Sequence, residues 1–408
     1  MPAPHQIVII GAGLAGATAA ASLRDQGFDG EVLLLGEEQH RPYELPALSK
    51  SVLLGDAEEP DWVREETFYV KNGIDLRRGV RVSKVELGSR IVTDAGGGEH
   101  RFDRLLLAIG ARPRTLDVPG ADLPGIHTLR TFDQSLELRA AMETAHHVVI
   151  VGAGWIGCEA AAAARTHGAD VTVIDPQPLP LAVTLGDEIA AMFRDLHTQH
   201  GVEWRLGTGV TAFLGDDGVT GVELADGTQV DGDLVLVAAG AEPRSELTRG
   251  TGIEVADDGA VDVDAGLRTA APDVYAAGDI AAHFHPRYGR RVRIEHWANA
   301  KAQGAHVAGN MIGEHQPYLA SPYFFTDQYD LGCEYRGLAD PDNDELVVRG
   351  ELACREFIAF WLRRGQVTAA MNVNLWDDGE ALAALVDSRA AVTAEQLREA
   401  DLDSLVTE

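Results

Sequence analysis

Two glycine-rich turns carry the residues whose spacing could do chemistry. Residues 7–21 read IVIIGAGLAGATAAA and residues 148–162 read VVIVGAGWIGCEAAA. Each copy is an apolar run, a G-x-G-x-x-G turn and an alanine-rich stretch, and the glycines are Gly11, Gly13, Gly16, Gly152, Gly154 and Gly157. Such glycines allow a tight strand-to-helix turn and let a pyrophosphate approach the backbone, where free N–H groups favour an anion. The sequence therefore predicts two dinucleotide sites.

An acidic residue follows each turn at the end of a second apolar run. Glu37 lies 21 residues beyond Gly16, and Asp175 lies 18 residues beyond Gly157. A carboxylate at this position accepts hydrogen bonds from ribose hydroxyls. At Asp175 it would also repel a 2′-phosphate, and the following Pro-Gln-Pro supplies no arginine to neutralise one, so NADH is favoured over NADPH. Two sites in one chain indicate one cofactor that is held and another that comes and goes.

Each glycine turn lies between an apolar run, read as a strand, and an alanine-rich stretch, read as a helix. This pattern predicts an α/β fold with two Rossmann-like dinucleotide-binding domains and a C-terminal α+β domain. An extended apolar run, TAAPDVYAAGD (269–279), is expected to complete the first domain, so the second would be an insertion. The predicted segments are 1–114 and 246–317 for the first domain, 115–245 for the inserted domain and 318–408 for the C-terminal domain.

The C-terminal segment alternates apolar and polar residues. Residues 347–374 predict three antiparallel strands with turns at Gly350 and at Arg364-Gly365, and two helices are expected at about 378–388 and 394–405. This domain is either a structural or dimerisation lid or a wall of an acceptor-docking site.

Composition excludes several classes of protein. The 408 residues carry 34 basic and 64 acidic side chains, a net charge of −30, which disfavours nucleic acid and anionic membranes as partners. Cys158, Cys333 and Cys354 are far apart, which excludes a disulfide-stapled scaffold, and all three are expected to be small buried hydrophobes. The histidines lack metal-ligand spacing, so no metal site is predicted, and most of them are expected at the surface. No targeting or membrane segment is recognised, so a cytoplasmic protein is expected.

Six segments together carry a family resemblance: RPYELPALSK (41–50), LLLAIGARPR (105–114), GAGWIGCEAA (152–161), YAAGD (275–279), EHWANAKAQG (295–304) and FFTDQYDLGCEYRG (324–337). Over essentially its whole length, the chain resembles the FAD-dependent NADH:ferredoxin reductases of bacterial oxygenase systems. These are the putidaredoxin, rhodocoxin and biphenyl-dioxygenase ferredoxin reductases, which belong to the glutathione-reductase-like flavoproteins. The resemblance implies that the first site binds FAD, that the second binds NADH, and that the NAD domain is inserted in the FAD domain.

The resemblance also implies which residues contact each cofactor. FAD would contact Gly11, Gly13, Leu14, Ala15, Gly16, Glu37, Arg41, Lys50, Val82, Ala108, Gly110, Arg130, Gly278, Asp279, Glu295, His296 and Trp297. NADH would contact Gly152, Gly154, Trp155, Ile156, Gly157, Glu159, Asp175 and Gly240.

Lys50 and Glu159 are the expected catalytic residues, because the matching residues of the family form an ion pair beside the flavin. A cation near flavin N5 would stabilise negative charge on the reduced ring. The alternatives are a solvated surface lysine and a helix N-terminal acid favoured by the helix dipole. Trp297 either lines the flavin or packs in the core, and Trp155 either faces the nicotinamide path or packs.

The missing thiols predict the type of electron acceptor. Residues 40–54, where disulfide reductases of this fold carry redox cysteines, contain none. Electrons would then leave through the flavin edge to a one-electron acceptor, which the resemblance implies is a [2Fe–2S] ferredoxin serving a cytochrome P450 or a ring-hydroxylating dioxygenase. An NADH oxidase, an NADH:quinone diaphorase and an apoptosis-inducing-factor-like NADH-binding flavoprotein are the alternatives. The protein would be a monomer or homodimer. The chain departs from the family pattern at one aromatic position: many relatives have Trp next to the Asp-Gln of the segment that reads FFTDQ here, where this chain has Phe325.

Two segments depart from the acidic average, and the first of them, residues 77–84, carries Arg77, Arg78, Arg81 and Lys84 with no acid. The second, residues 284–301, carries Arg287, Arg290, Arg291, Arg293 and Lys301 against Glu295, a net charge of 5 − 1 = +4. We hypothesise that this basic segment steers an acidic ferredoxin, and the alternative is a solvated arginine loop.

Overall fold

A computed structural model describes residues 4–406 of the chain. They divide into two compact units. The first unit comprises the chain up to Pro46, Pro60–Arg112 and Ala241–Ala320, and the second comprises Ala47–Glu59, Pro113–Gly240 and the chain from Ser321 onwards. Among residues 4–406, no helix is long and apolar enough to span a bilayer.

Most strands follow one another in runs. In chain order the strands are β1 (Gln6–Ile10), β2 (Glu31–Leu35), β3 (Ile74–Arg77), β4 (Val82–Glu86), β5 (Ile91–Asp94), β6 (Glu99–Arg101), β7 (Arg104–Leu107), β8 (Ala111–Pro113), β9 (Ile126–His127), β10 (His147–Val151), β11 (Asp170–Asp175), β12 (Val202–Leu206), β13 (Val210–Leu214), β14 (Gly221–Leu224), β15 (Gln229–Asp231), β16 (Leu234–Val237), β17 (Ala241–Pro243), β18 (Val261–Val263), β19 (Val274–Ala276), β20 (Ala281–His285), β21 (Arg290–Val292), β22 (Tyr323–Gln328), β23 (Leu331–Gly337), β24 (Glu345–Glu351), β25 (Glu356–Arg363) and β26 (Gln366–Val373). The α-helices are α1 (Leu14–Asp25), α2 (Ser51–Leu54), α3 (Glu66–Lys71), α4 (Phe132–Met142), α5 (Trp155–Thr166), α6 (Ala182–Leu185), α7 (Asp187–Gln199), α8 (Trp297–Ile312), α9 (Gly379–Ser388) and α10 (Ala394–Glu399). In this described part of the chain, a single helix separates paired strands only at β1-α1-β2 and β10-α5-β11.

The first unit is built on a parallel sheet with strand order β19-β7-β1-β2-β3. Its central strands are continuous apolar runs because both faces of a parallel sheet are covered. Strand β19 pairs with β7 in the register Val274↔Leu105, although the two are far apart in sequence. Residues 274–276 of the predicted run 269–279 therefore lie in the first sheet. Helix α8 begins at Trp297, as predicted, and Gly304 lets it approach α1, since a Cβ there would lie 2.3 Å from the Ala15 carbonyl oxygen.

The second unit holds a matching parallel sheet, in the order β12-β11-β10-β16-β9, and an antiparallel sheet, in the order β22-β23-β26-β25-β24. Its chain segments 113–240 and 321–408 belong to one compact unit, and the division of the chain into four domains stays a prediction.

Two sequence predictions for the C-terminal segment need correction. Gly350 lies inside β24, opposite Phe357, rather than in a turn. A Cβ at Gly350 would lie 2.5 Å from the Glu356 carbonyl oxygen, so this glycine serves strand pairing, and the turn is made by the 3₁₀ helix Leu352–Cys354. Helix α10 ends at Glu399, short of the predicted 405, because Ala400 takes extended backbone angles (φ −77°, ψ 161°).

Candidate functional site

The first glycine turn connects β1 to α1. Gly11 has φ +106°, and a Cβ there would lie 2.2 Å from the Ala108 carbonyl oxygen. A Cβ at Gly16 would lie 1.9 Å from the Gly11 carbonyl oxygen. Leu14 and Ala15, the first residues of α1, are buried. Packing alone therefore explains two of the three glycines.

The middle glycine of each turn is different. Gly13 and Gly154 precede α1 and α5, with φ −76° and −80°, angles that any residue adopts. A Cβ at either position would meet nothing within 4 Å. Neither helix has a side-chain cap or an acidic residue in its first turn, so its N–H groups are not capped by a side chain. A space that protein does not fill, beside the positive end of a helix, fits the pyrophosphate of a dinucleotide.

The second turn has the same close backbone contacts as the first. Gly152 has φ +115°, and its Cβ would lie 2.3 Å from the Ala238 carbonyl oxygen. The Cβ of a residue replacing Gly157 would lie 2.0 Å from the Gly152 carbonyl oxygen. Each of the two parallel sheets therefore has one turn of this geometry, as the sequence repeat predicts.

Asp175 is the last residue of β11 and lies against the second turn. Its two carboxylate oxygens accept hydrogen bonds from the backbone N–H groups of Ala153 and Gln177, each at 2.7 Å. These bonds fix the carboxylate beside the glycine loop, and each oxygen retains a lone pair for a further donor. This placement fits a ribose-binding role.

Glu37 follows β2 in the first unit and has partners that the sequence did not reveal. Its Oε2 accepts a hydrogen bond from Arg244 Nη2 at 2.6 Å, and Arg81 Nε lies 3.6 Å from Oε1. The two arginines are far from Glu37 in the chain, so no local pattern could have found them. They restrain the carboxylate that we expect to meet the FAD ribose.

The predicted Lys50–Glu159 ion pair is present in the second unit. Lys50 Nζ lies 2.7 Å from Glu159 Oε1, and the side chains are only 16% and 4% exposed. Two hydroxyls complete the cluster, because Ser49 donates to Oε2 and Thr326 donates to Oε1, each at 2.5 Å. Lys50 also lies 5.2 Å from the centre of the Phe325 ring, within cation–π range. The pair removes the surface-lysine alternative.

Sequence reasoning missed Ser49 and Thr326. Both lie inside segments that carry the resemblance, next to Lys50 and to Phe325. That adjacency was the available signal, but hydroxyl residues in such segments are too common to single out.

Trp297, at the start of α8, has a hydrogen-bonded indole. Its Nε1 donates to Glu44 Oε2 at 2.7 Å, and Glu44 Oε1 also pairs with Lys301 at 3.1 Å. The Lys301 ammonium lies 4.9 Å from the centre of the Trp297 ring. The ring is therefore held in one orientation, and it packs partly against the core of the first unit.

Of the predicted FAD residues in the first unit, Gly278 and Asp279 are buried and His296 is half-buried. Gly278 has φ +80° and donates its N–H to Gln303 Oε1 at 2.8 Å. Asp279 is buried, and His296 precedes α8. Burial lowers the pKa of His296 to about 4, so its imidazole is neutral at pH 7.

The remaining predicted FAD residues are placed as follows. Gly110 (φ +65°) lies in the loop after β7, Val82 is the buried first residue of β4, and Ala108 is buried. Arg41 stacks on Trp62 at 4.2 Å and pairs with Glu65 at 3.5 Å. Glu295 pairs with Arg293, and Arg130 precedes Thr131, the capping residue of α4 in the second unit.

The remaining predicted NADH residues lie at or near the second turn. Trp155 packs edge-on against Phe193 and Phe324, with ring centres 5.8 and 4.6 Å apart, so packing accounts for this indole. Ile156 is 41% exposed at the start of α5. Gly240 has φ +88°, and its carbonyl accepts the Arg114 N–H at 2.9 Å.

The structure corrects two predictions about burial. Cys354 is exposed, because it lies in the turn before β25, whereas Cys158 and Cys333 are buried as predicted and burial raises the pKa of both thiols. His283 and His285 are completely buried rather than at the surface, since alternate residues of β20 face the core.

Comparison with known proteins identifies the family. The sequence model described as pyridine nucleotide-disulphide oxidoreductase matches residues 5–304, and the model described as reductase C-terminal matches residues 323–405. The chain belongs to the pyridine nucleotide-disulphide oxidoreductase family. The predicted fold class is confirmed, and the family binds FAD and uses NAD(H), which confirms the two predicted cofactors.

The relatives of this oxidoreductase match it along almost its full length. The 5,5′-dehydrodivanillate O-demethylase ferredoxin reductase subunit of Sphingobium sp. (strain NBRC 103272 / SYK-6) is 40% identical, over 98% of this chain and 97% of the relative. The biphenyl dioxygenase system ferredoxin–NAD(+) reductase component of Paraburkholderia xenovorans (strain LB400) is 38% identical, over 96% of both chains. The solved covalent putidaredoxin reductase–putidaredoxin complex aligns with TM-score 0.94 and 31% identity over 99% of both chains. The predicted resemblance is thereby confirmed.

Proposed function

We propose that this oxidoreductase transfers electrons from NADH through FAD to a [2Fe–2S] ferredoxin that serves a dioxygenase or a cytochrome P450. The observation that carries the proposal is the full-length similarity to reductases named for such systems, at 38–40% identity. FAD, when bound, would accept a hydride from NADH and release electrons one at a time.

The residues around the two turns would bind and orient the cofactors. Gly13 and α1 would hold the FAD pyrophosphate, with Glu37 at the ribose, and Gly154 and α5 would hold that of NADH, with Asp175 at the ribose. The carboxylate of Asp175 gives the preference for NADH over NADPH.

Lys50 and Glu159 would act on the isoalloxazine electrostatically. Glu159 holds the Lys50 ammonium by an ion pair at low exposure, where a charge acts more strongly than in water. The ammonium would stabilise negative charge on the reduced ring, and no side-chain general base is required.

The acceptor is expected to be a one-electron carrier because the segment that carries the redox cysteines in disulfide reductases of this fold has none here. Residues 40–54 contain no cysteine, and Cys158 and Cys333 are buried in the second unit. The exposed free thiol of Cys354 is consistent with a reducing, cytoplasmic compartment.

The basic segment 284–301 offers less unpaired charge than its sequence suggests. Arg291 pairs with Asp262, Arg293 with Asp258 and Lys301 with Glu44. Arg290 is exposed on β21 and is the best placed member of the segment to attract an acidic ferredoxin.

Steady-state oxidation of NADH by the FAD-loaded protein tests the proposal, with a panel of [2Fe–2S] ferredoxins and cytochrome c as the final acceptor. We expect cytochrome c reduction to require a ferredoxin and to saturate with its concentration. Rapid turnover with oxygen or a quinone that ferredoxin leaves unchanged would instead support an oxidase or diaphorase. A long-lived reduced complex with negligible turnover would support an NADH-binding signalling protein.

A further inference from the structure

A continuous line of hydrogen bonds leads away from Glu159 through the second unit. Thr326 donates to Glu159 Oε1 at 2.5 Å, and Gln328 Nε2 donates to Thr326 Oγ1 at 3.1 Å. Gln328 Oε1 lies 2.8 Å from His197 Nε2, and the Tyr329 hydroxyl lies 3.2 Å from His197 Nδ1. Four side chains, from β22, the following turn and α7, are thus connected by hydrogen bonds to the Glu159 carboxylate that pairs with Lys50.

The charge of Glu159 fixes the direction of every bond in this line. A carboxylate only accepts hydrogen bonds, so the Thr326 hydroxyl donates its one proton to Glu159. Its oxygen must then accept a hydrogen bond from Gln328. The amide nitrogen of Gln328 is then on the Thr326 side, which leaves its oxygen facing His197. His197 must therefore carry its proton on Nε2 and accept at Nδ1 from the Tyr329 hydroxyl.

His197 stays neutral in this setting, as the directed line requires. It is completely buried, and this burial lowers its pKa to about 4. A neutral imidazole has one donor and one acceptor, which matches the two partners. The Gln328 partner opposes the shift and the His200 charge adds to it, but desolvation is the largest cause.

The hydrogen-bonded side chains lie in an apolar core, where apolar side chains could be buried without a need for hydrogen-bond partners. His197, Thr326 and Gln328 are at most 1% exposed, and their neighbours on the same elements, such as Phe193, Leu196 and Phe324, form an apolar core cluster. Buried polar groups are costly unless every bond is made, and a fully satisfied set specifies one arrangement.

The far end of the line is held in an uncommon backbone conformation. Tyr329 has φ +57°, in the left-handed region, where a residue with a side chain is strained. Its ring stacks on His200, with centres 3.6 Å apart and planes 6° apart, which keeps the hydroxyl directed at His197.

We propose that Thr326, Gln328 and His197 are positioning residues that hold the Glu159 carboxylate against Lys50 through hydrogen bonds all donated toward Glu159. Their effect on electron transfer rests on the proposed function, whereas the direction of the bonds does not. The three residues act through Glu159 and need not touch a substrate or cofactor. Loss of the Thr326 hydroxyl would leave the carboxylate with fewer donors and more freedom to move from Lys50.

The direction of the line is tested on the full-length protein by ¹⁵N NMR of labelled histidine side chains at pH 7. The His197 signals are identified by their loss in His197→Asn. We expect the Nε2–H tautomer with Nδ1 as acceptor. An Nδ1–H tautomer or a protonated ring would overturn the proposal, whatever reaction the protein performs.

The effect on Glu159 is tested by anaerobic stopped-flow reduction of the bound flavin by NADH. Thr326→Val is expected to lower the limiting rate constant about tenfold with little change in the Kd of NADH, and Thr326→Ser to restore it to within about threefold. The matched control is Thr368→Val on β26, since Thr368 donates at 2.7 Å to another buried carboxylate, Asp344, which pairs with Arg363.

The outcomes separate this proposal from the proposed function. Equal rate constants for Thr326→Val and Thr368→Val would overturn the positioning role, and so would a failure of Thr326→Ser to rescue. If the wild-type flavin is not reduced by NADH, the proposed function fails, and the His197 tautomer alone then supports or overturns the directed line.

Discussion

The Thr326 hydroxyl donates a 2.5 Å hydrogen bond to the Glu159 carboxylate across a separation of 167 residues. The bond joins strand β22 of the antiparallel sheet to the helix that follows the second glycine turn, within one compact unit. The Glu159 carboxylate, which pairs with Lys50, therefore links the segment 113–240, where Glu159 lies, to the segment from Ser321 onwards, where Thr326 lies.

Replacement of Lys50 separates its electrostatic role from its structural one. Lys50→Met leaves a buried carboxylate unpaired and should cost ~3–5 kcal/mol of unfolding free energy, with flavin reduction at least tenfold slower. Lys50→Met with Glu159→Gln should recover most of the stability, measured by urea unfolding, but not the rate. Full recovery of the rate in the double variant would contradict the proposed role. Lys84→Met, which breaks an exposed pair with Glu86, is the control.

Asp175 is expected to set the preference for NADH. Asp175→Ala should raise the KM of NADH about tenfold, because bonds between a carboxylate and ribose hydroxyls are lost, and should change that of NADPH much less. The measurement is steady-state kinetics with both nucleotides. Asp170→Ala, at the exposed start of the same strand, should leave the ratio unchanged. An unchanged ratio in Asp175→Ala would refute the assignment.

Two glycines of the second turn should respond differently to alanine. Gly157→Ala places a Cβ 2.0 Å from a backbone oxygen and should lower the melting temperature, since backbone must move. Gly154→Ala meets no protein atom within 4 Å and should keep the melting temperature while raising the KM of NADH. If Gly154→Ala binds NADH normally, the pyrophosphate does not approach there.

Acid should destabilise the protein through its buried histidines. Burial lowers the pKa of His283 to about 3 from the ordinary value of 6.5. The unfolded chain therefore binds a proton that the folded chain does not, and stability present above pH 6.5 is lost as pH falls towards 3, at about 1.4 kcal/mol per pH unit. His283→Gln should reduce the slope of unfolding free energy against pH by that amount. Urea unfolding at pH 7, 6 and 5 measures it, and equal slopes would contradict the prediction.

Salt should reveal whether Arg290 attracts the ferredoxin. Arg290→Glu is expected to raise the KM of ferredoxin severalfold at low ionic strength, with the difference shrinking as salt screens the charge. Arg398→Glu makes the same charge change on α10 and serves as the control. Equal KM values for the two variants would favour a solvated arginine loop.

The sequence by itself determined both glycine turns, the acids that follow them and the return of residues 274–276 to the first sheet. The turns and the acids depend on local geometry, because a strand end, a tight turn and a helix N-terminus lie within a few residues. The return of residues 274–276 was instead predicted from an apolar run that ends in Gly278-Asp279. The Lys50–Glu159 ion pair was predicted only from the resemblance to known reductases.

Tertiary structure alone decided what surrounds those residues. Ser49 and Thr326 meet Glu159, and Arg244 meets Glu37, because packing and strand register bring distant segments together. His283 is buried because alternate residues of β20 face the core, and Cys354 is exposed because it lies in the turn before β25. Hydrogen bonds and burial act over a few ångströms in space irrespective of separation in the chain, so spacing in sequence fixed the turns while only the fold fixed the partners.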